Sequence, residues 1–427
     1  MATSRDFNAM LNENLHYDLL RNEFVERQWL MKNCKQNEKW KGGTIPIPFE
    51  SGHASSVQFG SLTASTNVSV SQYTRGTLST QKELWGTLQF RHRDIIEHNG
   101  RVNEDSFLSL LPGEIDRFMK NVKNRSSITA LHGYADTVDA SSTGSAGGVI
   151  KVDHPERFSL NEKVYFDDDD SSVSAACYIS AINMSTGELT VLDTLTNGLA
   201  AGSAVSLTGY SGAQNAKVYY AGTQPGTAVG WTSVRQQLLS AANGGDATIF
   251  GVTKVTAPYT QALNVSGSTF TEDNILEGLF NKYVTFRNRC DGMGQKFVMS
   301  YKNWAAALKN VNVTKGAFAQ DPTSRKASEY GWDEISIGGP KGSISLVAIQ
   351  EMSDTEIYYI DPKSFTFHSN GGFQKLVTPD GNMYQLSRDA TTGITYLVDL
   401  YMYGDLVCHN PLANGVIHSV NFSLSES

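Results

Sequence analysis

Gly42–Thr74 reads GGTIPIPFESGHASSVQFGSLTASTNVSVSQYT, and its one formally charged side chain is Glu50. Val57 and Phe59, then Val68 and Val70, alternate with polar residues, and Leu84, Leu88 and Phe90 repeat the alternation further on. A period of two is the mark of half-buried strands. With Arg75-Gly76 as the turnaround, the sequence predicts a long two-stranded arm. Ordering each residue of such an arm costs about 1–2 kcal/mol of backbone entropy. Each apolar side chain on its one inward face returns roughly 1.5–3 kcal/mol, and a cross-strand hydrogen bond adds only about 1 kcal/mol net. A lone hairpin is marginal on these terms, so the arm needs further surface to lie on, its own fold or a neighbouring subunit. Val57, Phe59, Leu62, Val68, Val70, Tyr73, Leu84, Trp85, Leu88 and Phe90 are the expected inter-subunit contacts.

The rest of the chain sets bounds on what that arm serves. At 427 residues there is room for several domains with a sizeable core. A net charge of -8 and a pI near 5.6 argue against a dedicated nucleic-acid binder, which needs a basic face to neutralise phosphates. A shell that encloses nucleic acid has no such need. Cys34, Cys177, Cys290 and Cys408 are far apart and form neither a disulfide framework nor a zinc knuckle. Met1 to Met10 carries no apolar signal core, and no apolar run is long enough to span a membrane, so neither export nor a membrane is expected.

Before the arm, Phe7, Met10, Leu11, Leu15, Leu19, Val25 and Trp29 recur at helical spacing. After it, Asp105–Leu111 reads as a short helical turn, and Pro112 as the first residue of a long helix with Ile115, Phe118, Met119 and Val122 on one stripe and Gly133 as its stop. The run Ala140–Gly148 is a Ser/Gly linker. Short strands follow to Ala221, at Val164–Phe166, Ala176–Ile182, Leu189–Leu192, Ala204–Leu207 and Val218–Tyr220, which suggests a small inserted β-barrel. From Trp231 onward helices and strands alternate. Trp231–Ala242 and Glu272–Asn288 are expected helices, the second capped by Thr271, and Phe297–Ser300 and Ile394–Val407 are the clearest strands of an α/β domain.

Catalytic signatures are missing. The sequence has no nucleophile elbow, phosphate loop or HExxH motif. Gly292-Met293-Gly294 lacks the third glycine of a dinucleotide loop, and Asp167–Asp170 lacks the glycine and glutamate of a calcium loop. No catalytic, cofactor-binding or metal-ligating residue is therefore expected, and no cofactor.

In order and spacing the parts resemble a tailed-phage major capsid protein of the Hong Kong ninety-seven fold. The residues that carry the resemblance are Val57–Leu62, Lys82–Leu88, Phe107–Pro112, Phe297–Trp304 and Tyr401–Pro411. It implies an α+β chain with an N-terminal arm (1–41), an extended two-stranded E-loop (42–97), a spine helix with its peripheral domain (98–146), an inserted β-barrel (147–222) and an axial α/β domain with returning peripheral strands (223–427). It also implies the function: pentamers and hexamers of an icosahedral shell, assembled in the host cytoplasm and found in the virion. Its implied partners are other copies of itself, portal, scaffold and other virion proteins, and packaged double-stranded DNA held non-specifically, with no membrane. The competing expectations are an encapsulin-like nanocompartment shell, an exported β-rich surface protein, and a hydrolase with a dispersed site.

Overall fold

A computed structural model describes residues 28–50, 73–79, 81–91, 104–133, 135–137, 145, 147–152, 154–167, 175–196, 199–208, 210, 217–219, 230–243, 245–255, 260–289, 294–316, 335–339, 342–371, 374–377, 380–382, 384–389 and 393–422. The chain is mixed α+β and divides into two units. One holds Met1–Gln28, Gln81–Trp231 and Ser369–Asp405; the other holds Trp29–Thr80, Thr232–His368 and Leu406–Ser427.

The second unit is built on a mixed six-stranded sheet. Its strands lie in the order Leu263–Ser266, Gly415–His418, Ile357–Ile360, Lys296–Met299, Gly342–Ala348, Ile335–Gly339. Two neighbouring pairs are parallel, Leu263–Ser266 with Gly415–His418 and Lys296–Met299 with Gly342–Ala348. The second of these is joined through helix Tyr301–Gly316, because a parallel pair needs a crossover. That helix and Ile275–Arg289 cover one face. Ile275, Leu279, Tyr283, Phe286, Ala306 and Ala307 pack there on Phe297, Met299 and Tyr359. The rings of Phe286 and Tyr359 stack at 4.9 Å. The helix expected from Glu272 begins at Ile275, since the Asn274 side chain accepts from the Thr271 N–H at 2.7 Å and closes the turn ahead of it.

On this unit the expected helix Trp231–Ala242 shrinks to Val234–Leu238, capped by Ser233 and Gln236 in a reciprocal capping box. Its last carbonyls are held by Lys254, whose ammonium donates to Gln236 O at 2.7 Å and Leu239 O at 2.6 Å. Burial pulls the Lys254 pKa down to about 8. Arg235 of the same helix meets Glu356 at 2.7 Å, and the buried Tyr358 hydroxyl also donates to that carboxylate.

Strand Ile45–Glu50 pairs antiparallel with Tyr73–Leu78, Ile45 opposite Leu78 and Glu50 opposite Tyr73. The turnaround expected at Arg75-Gly76 is therefore mid-strand, and the two strands are joined through residues 51–72. Ile47, Phe49 and Leu78 face inward with Trp40, Ile249, Val252 and Val407. Gly76 is explained by close approach. A Cβ there would stand 2.7 Å from the Phe49 ring and 3.2 Å from Phe250 O, which accepts the Thr77 N–H at 2.8 Å. Phe250 and Gly251, with φ of 50° and 82°, form the left-handed turn of the hairpin Thr248–Thr253 that makes this contact. Gly76→Ala should overpack the ribbon by about 1–3 kcal/mol, read as a lower thermal midpoint with unchanged secondary structure.

Pro46 and Pro48 stand opposite Thr77 and Arg75. A proline fits these positions only where its missing N–H would have pointed away from the partner strand, so the outer edge of Ile45–Glu50 lacks two donors.

The first unit holds a 28-residue helix, Glu104–Leu131, about 42 Å long. It runs through Pro112, which the sequence marks as a start. Met119, Val122, Ile128 and Leu131 are buried, and Gly133, at φ 116°, closes it by donating to Ile128 O. Strand Lys82–Arg91 pairs with Gly393–Cys408 from Arg91 opposite Thr395 to Lys82 opposite Gly404, and does not return along Tyr73–Leu78. Gln385–Asp389 and Gln374–Lys375 pair on the other edge of Gly393–Cys408. This strand, expected in the α/β domain, lies up to Asp405 in the first unit.

Also in this unit is a seven-stranded sheet in the order Leu199–Ala204, Glu188–Thr196, Cys177–Asn183, Lys163–Asp167, Lys217–Tyr219, Ala135–Thr137, with Val149–Lys151 on Glu188–Thr196. Val164, Phe166, Ile179, Leu189, Val191 and Val218 fill its core together with Ile128 of the long helix, and Arg125 of that helix is ion-paired with Glu162.

Candidate functional site

Among the described residues no group of three or more His, Cys, Asp or Glu is placed to hold a metal. The thiols of Cys34 and Cys408 are buried and pushed up to about 12, chiefly by desolvation, so neither is a ready nucleophile. The Asp167 carboxylate accepts from the Tyr219 hydroxyl at 3.3 Å. Asp168–Asp170, Gly292, Met293, His92 and His98 lie outside the described residues.

The surface expected to meet another subunit divides into three parts. Val57, Phe59, Leu62, Val68 and Val70 lie outside the described residues, on the connection between the ribbon strands. Leu88 and Phe90, each 7 % exposed, and the half-buried Leu84 point into their own unit. Gly86 on the same face sits against the Phe118 ring of the long helix, where a Cβ would come within 2.6 Å. Tyr73 and Trp85 are 64 % and 68 % exposed.

Why Trp85 is outside follows from the pleat. Glu83, Trp85, Thr87 and Gln89 alternate with the residues turned toward the helix. Trp85 stands opposite Tyr401, whose hydroxyl donates to Gln374 Oε1 at 3.2 Å. Tyr403 lies 5.3 Å from Tyr401 between ring centroids. One step along, Thr87 donates to Asp399 at 2.6 Å. The result is an aromatic row across a sheet face with hydrogen-bonding neighbours. Tyr401, Tyr403, Asp399 and Gln374 are not among the expected inter-subunit contacts. The alternation of the last long strand was legible, but its pairing with Lys82–Arg91 joins residues some three hundred positions apart and leaves no local trace.

No family model matches the chain, and no curated protein matches it. Among solved structures, it is similar to the "Cyanophage A-1(L) capsid asymmetric unit" (TM-score 0.48, 11 % identity, 95 % of this chain and 93 % of that one). It is also similar to a satellite phage P4 procapsid chain (TM-score 0.40, 6 % identity, 99 % of both chains) and to a virus-like particle from Pyrococcus furiosus (TM-score 0.37, 9 % identity, 94 % and 99 %).

Proposed function

We propose that this chain is the major subunit of a tailed-phage-type capsid, self-assembling into pentamers and hexamers of an icosahedral shell around double-stranded DNA. The observation that carries the proposal is the ribbon. Its base spends Ile47, Phe49 and Leu78 on its own unit. The connection it carries, residues 51–72, has no Lys, Arg, Asp or Glu and is rich in Ser, Thr and Val. Such a composition is an aggregation hazard in free solution and a docking element in an assembly. In this reading the E-loop centres on residues 45–78, with 51–72 reaching a sister copy. Helix Glu104–Leu131 is the spine, the seven-stranded sheet the inserted module, and the six-stranded mixed sheet the axial domain. Portal, scaffold and other virion proteins are the remaining partners, and the site of action is the virion.

Size-exclusion chromatography with electron microscopy tests this directly. Closed particles or ring-shaped capsomers are expected, and a monomer at high concentration refutes it. Nucleic acid inside native particles separates a virion from a cargo-holding nanocompartment.

Two neighbouring substitutions divide assembly from folding. Trp85→Asp changes an exposed position, where effects on stability stay within about 0.5 kcal/mol, and should reduce particle yield while the melting curve of the subunit is unchanged. Leu88→Asp buries an unpaired charge, at a cost of several kcal/mol, and should unfold the subunit outright. Equal effects in both assays would remove Trp85 from the interface.

A further inference from the structure

Strand Lys35–Asn37 lies parallel to the strand that begins at Phe365, with Lys35 opposite Thr366, Gln36 opposite Phe367 and Asn37 opposite His368. A parallel three-residue pairing offers few hydrogen bonds, so side chains decide whether it holds. The Asn37 amide nitrogen is 3.0 Å from His368 Nδ1. An amide nitrogen only donates, so Nδ1 must present its lone pair and the neutral ring carries its proton on Nε2. That Nε2 is buried and has no hydrogen-bond partner among the described residues, and His368 as a whole is 5 % exposed. The His409 ring meets His368 edge-on with centroids 5.9 Å apart.

We infer that His368 and His409 form an acid-released latch for strand Lys35–Asn37. Protonation of His368 at Nδ1 sets an N–H against the Asn37 amide donors. Turning that amide over would forfeit its oxygen, which accepts the Lys39 N–H at 3.3 Å. Protonation of His409 places a second cation beside the first. The charged group facing His409 is Lys35 of the latched strand, whose ammonium, after burial itself, depresses the His409 pKa. Burial first, and His409 second, hold His368 near 4 against an ordinary 6.5. The Cys34 thiol, which accepts a hydrogen bond from the Phe367 backbone, stays protonated throughout.

The sign follows from proton counting. The latched state has the lower imidazole pKa, so the released state binds more protons between about 4 and 6.5. Latching is at full strength above that window and is lost as pH falls through it. Leu30, Met31 and Trp40 remain buried anchors on either side, so release of the strand precedes loss of the unit.

Hydrogen exchange on the intact chain at about pH 7 and about pH 4.5, corrected for the intrinsic rate, tests the latch. Protection of the amides of residues 35–37 should fall at least about tenfold at the lower pH. In His368→Gln/His409→Gln it should change less than about twofold, and Lys35→Met, which relieves the depression of His409, should make the fall smaller than in the wild type. An unchanged wild-type protection overturns the latch, as does a fall of equal size in the double variant. If the double variant does not fold, the wild-type titration decides. Strand Lys35–Asn37 must open while the central strand Lys296–Met299 stays protected, and simultaneous opening of both refutes the inference. The latch lies within one unit and needs no particle, so it stands or fails separately from the shell proposal.

Discussion

Removing residues 52–71, with a short Gly-Ser bridge between the ribbon strands, is expected to leave a folded subunit that forms no closed particles. The ribbon strands themselves must be kept. Leu78 is buried with Ile47 and Phe49, and Thr77 is bonded to the hairpin turn at Phe250, so a deletion that ran on to residue 80 would damage the fold and confuse the result. Cutting between Glu50 and Tyr73 spares every buried contact described for the ribbon. Shortening a loop changes closure entropy by only about 0.6 kcal/mol per halving, which is small against the stability of a domain. The expected outcome is a near-native circular dichroism spectrum and thermal midpoint, with chromatography showing monomers or small oligomers. Normal particles from this variant would remove the segment from assembly and leave the shell proposal without its main support.

The second large effect is expected inside the subunit. Glu356→Ala should cost about 1–3 kcal/mol, because it leaves the buried Tyr358 hydroxyl without the carboxylate it donates to. Its carboxylate receives Arg235 Nε at 2.7 Å on one oxygen and the Tyr358 hydroxyl on the other. Tyr358 is fully buried, and burial, followed by the Glu356 charge, drives its pKa far above the ordinary phenol value, so it remains a donor. The internal control is Lys120→Ala. Lys120 and Asp116 also meet at 2.7 Å, but both are largely exposed, and such a pair contributes about 0–1 kcal/mol. Urea titrations of the two variants should therefore differ several-fold in the shift of midpoint, with similar slopes. Equal shifts would mean that Glu356 is not the tie between helix Val234–Leu238 and the central sheet.

The parts of the fold that local periodicity controls were legible in the sequence. Ile275 and Leu279 face the core as their spacing requires, and Val164, Ile179, Leu189 and Val218 meet in one cluster. Where the expectation failed, a residue had two physical meanings. Gly76 serves as a turn former or as room for a ring, and Phe49 takes that room. Pro112 can open a helix or sit within one, and the helix here starts a full two turns earlier, at Glu104. Phe280 falls in the apolar spacing of Ile275, Leu276 and Leu279, yet Tyr283 and Phe286 take the inner face and leave Phe280 outside. The candidate surface was half legible for a related reason. Alternation predicts which side chains share a face, but Leu88 and Trp85 trade meanings with the direction of the pleat. That direction is set by Phe118 pressing on Gly86 from a helix the local pattern does not contain.

The two prolines on the outer border of Ile45–Glu50 have a practical consequence for handling the protein. Lysine gatekeepers repel neighbouring strands only while their charge is unscreened, so their protection fades in concentrated salt. An absent amide proton is indifferent to ionic strength, acidity and temperature. Precipitates that form during purification in high-salt buffers should therefore not be seeded along this border, and replacing Pro46 and Pro48 by valine would open a route to fibres that no choice of buffer could close.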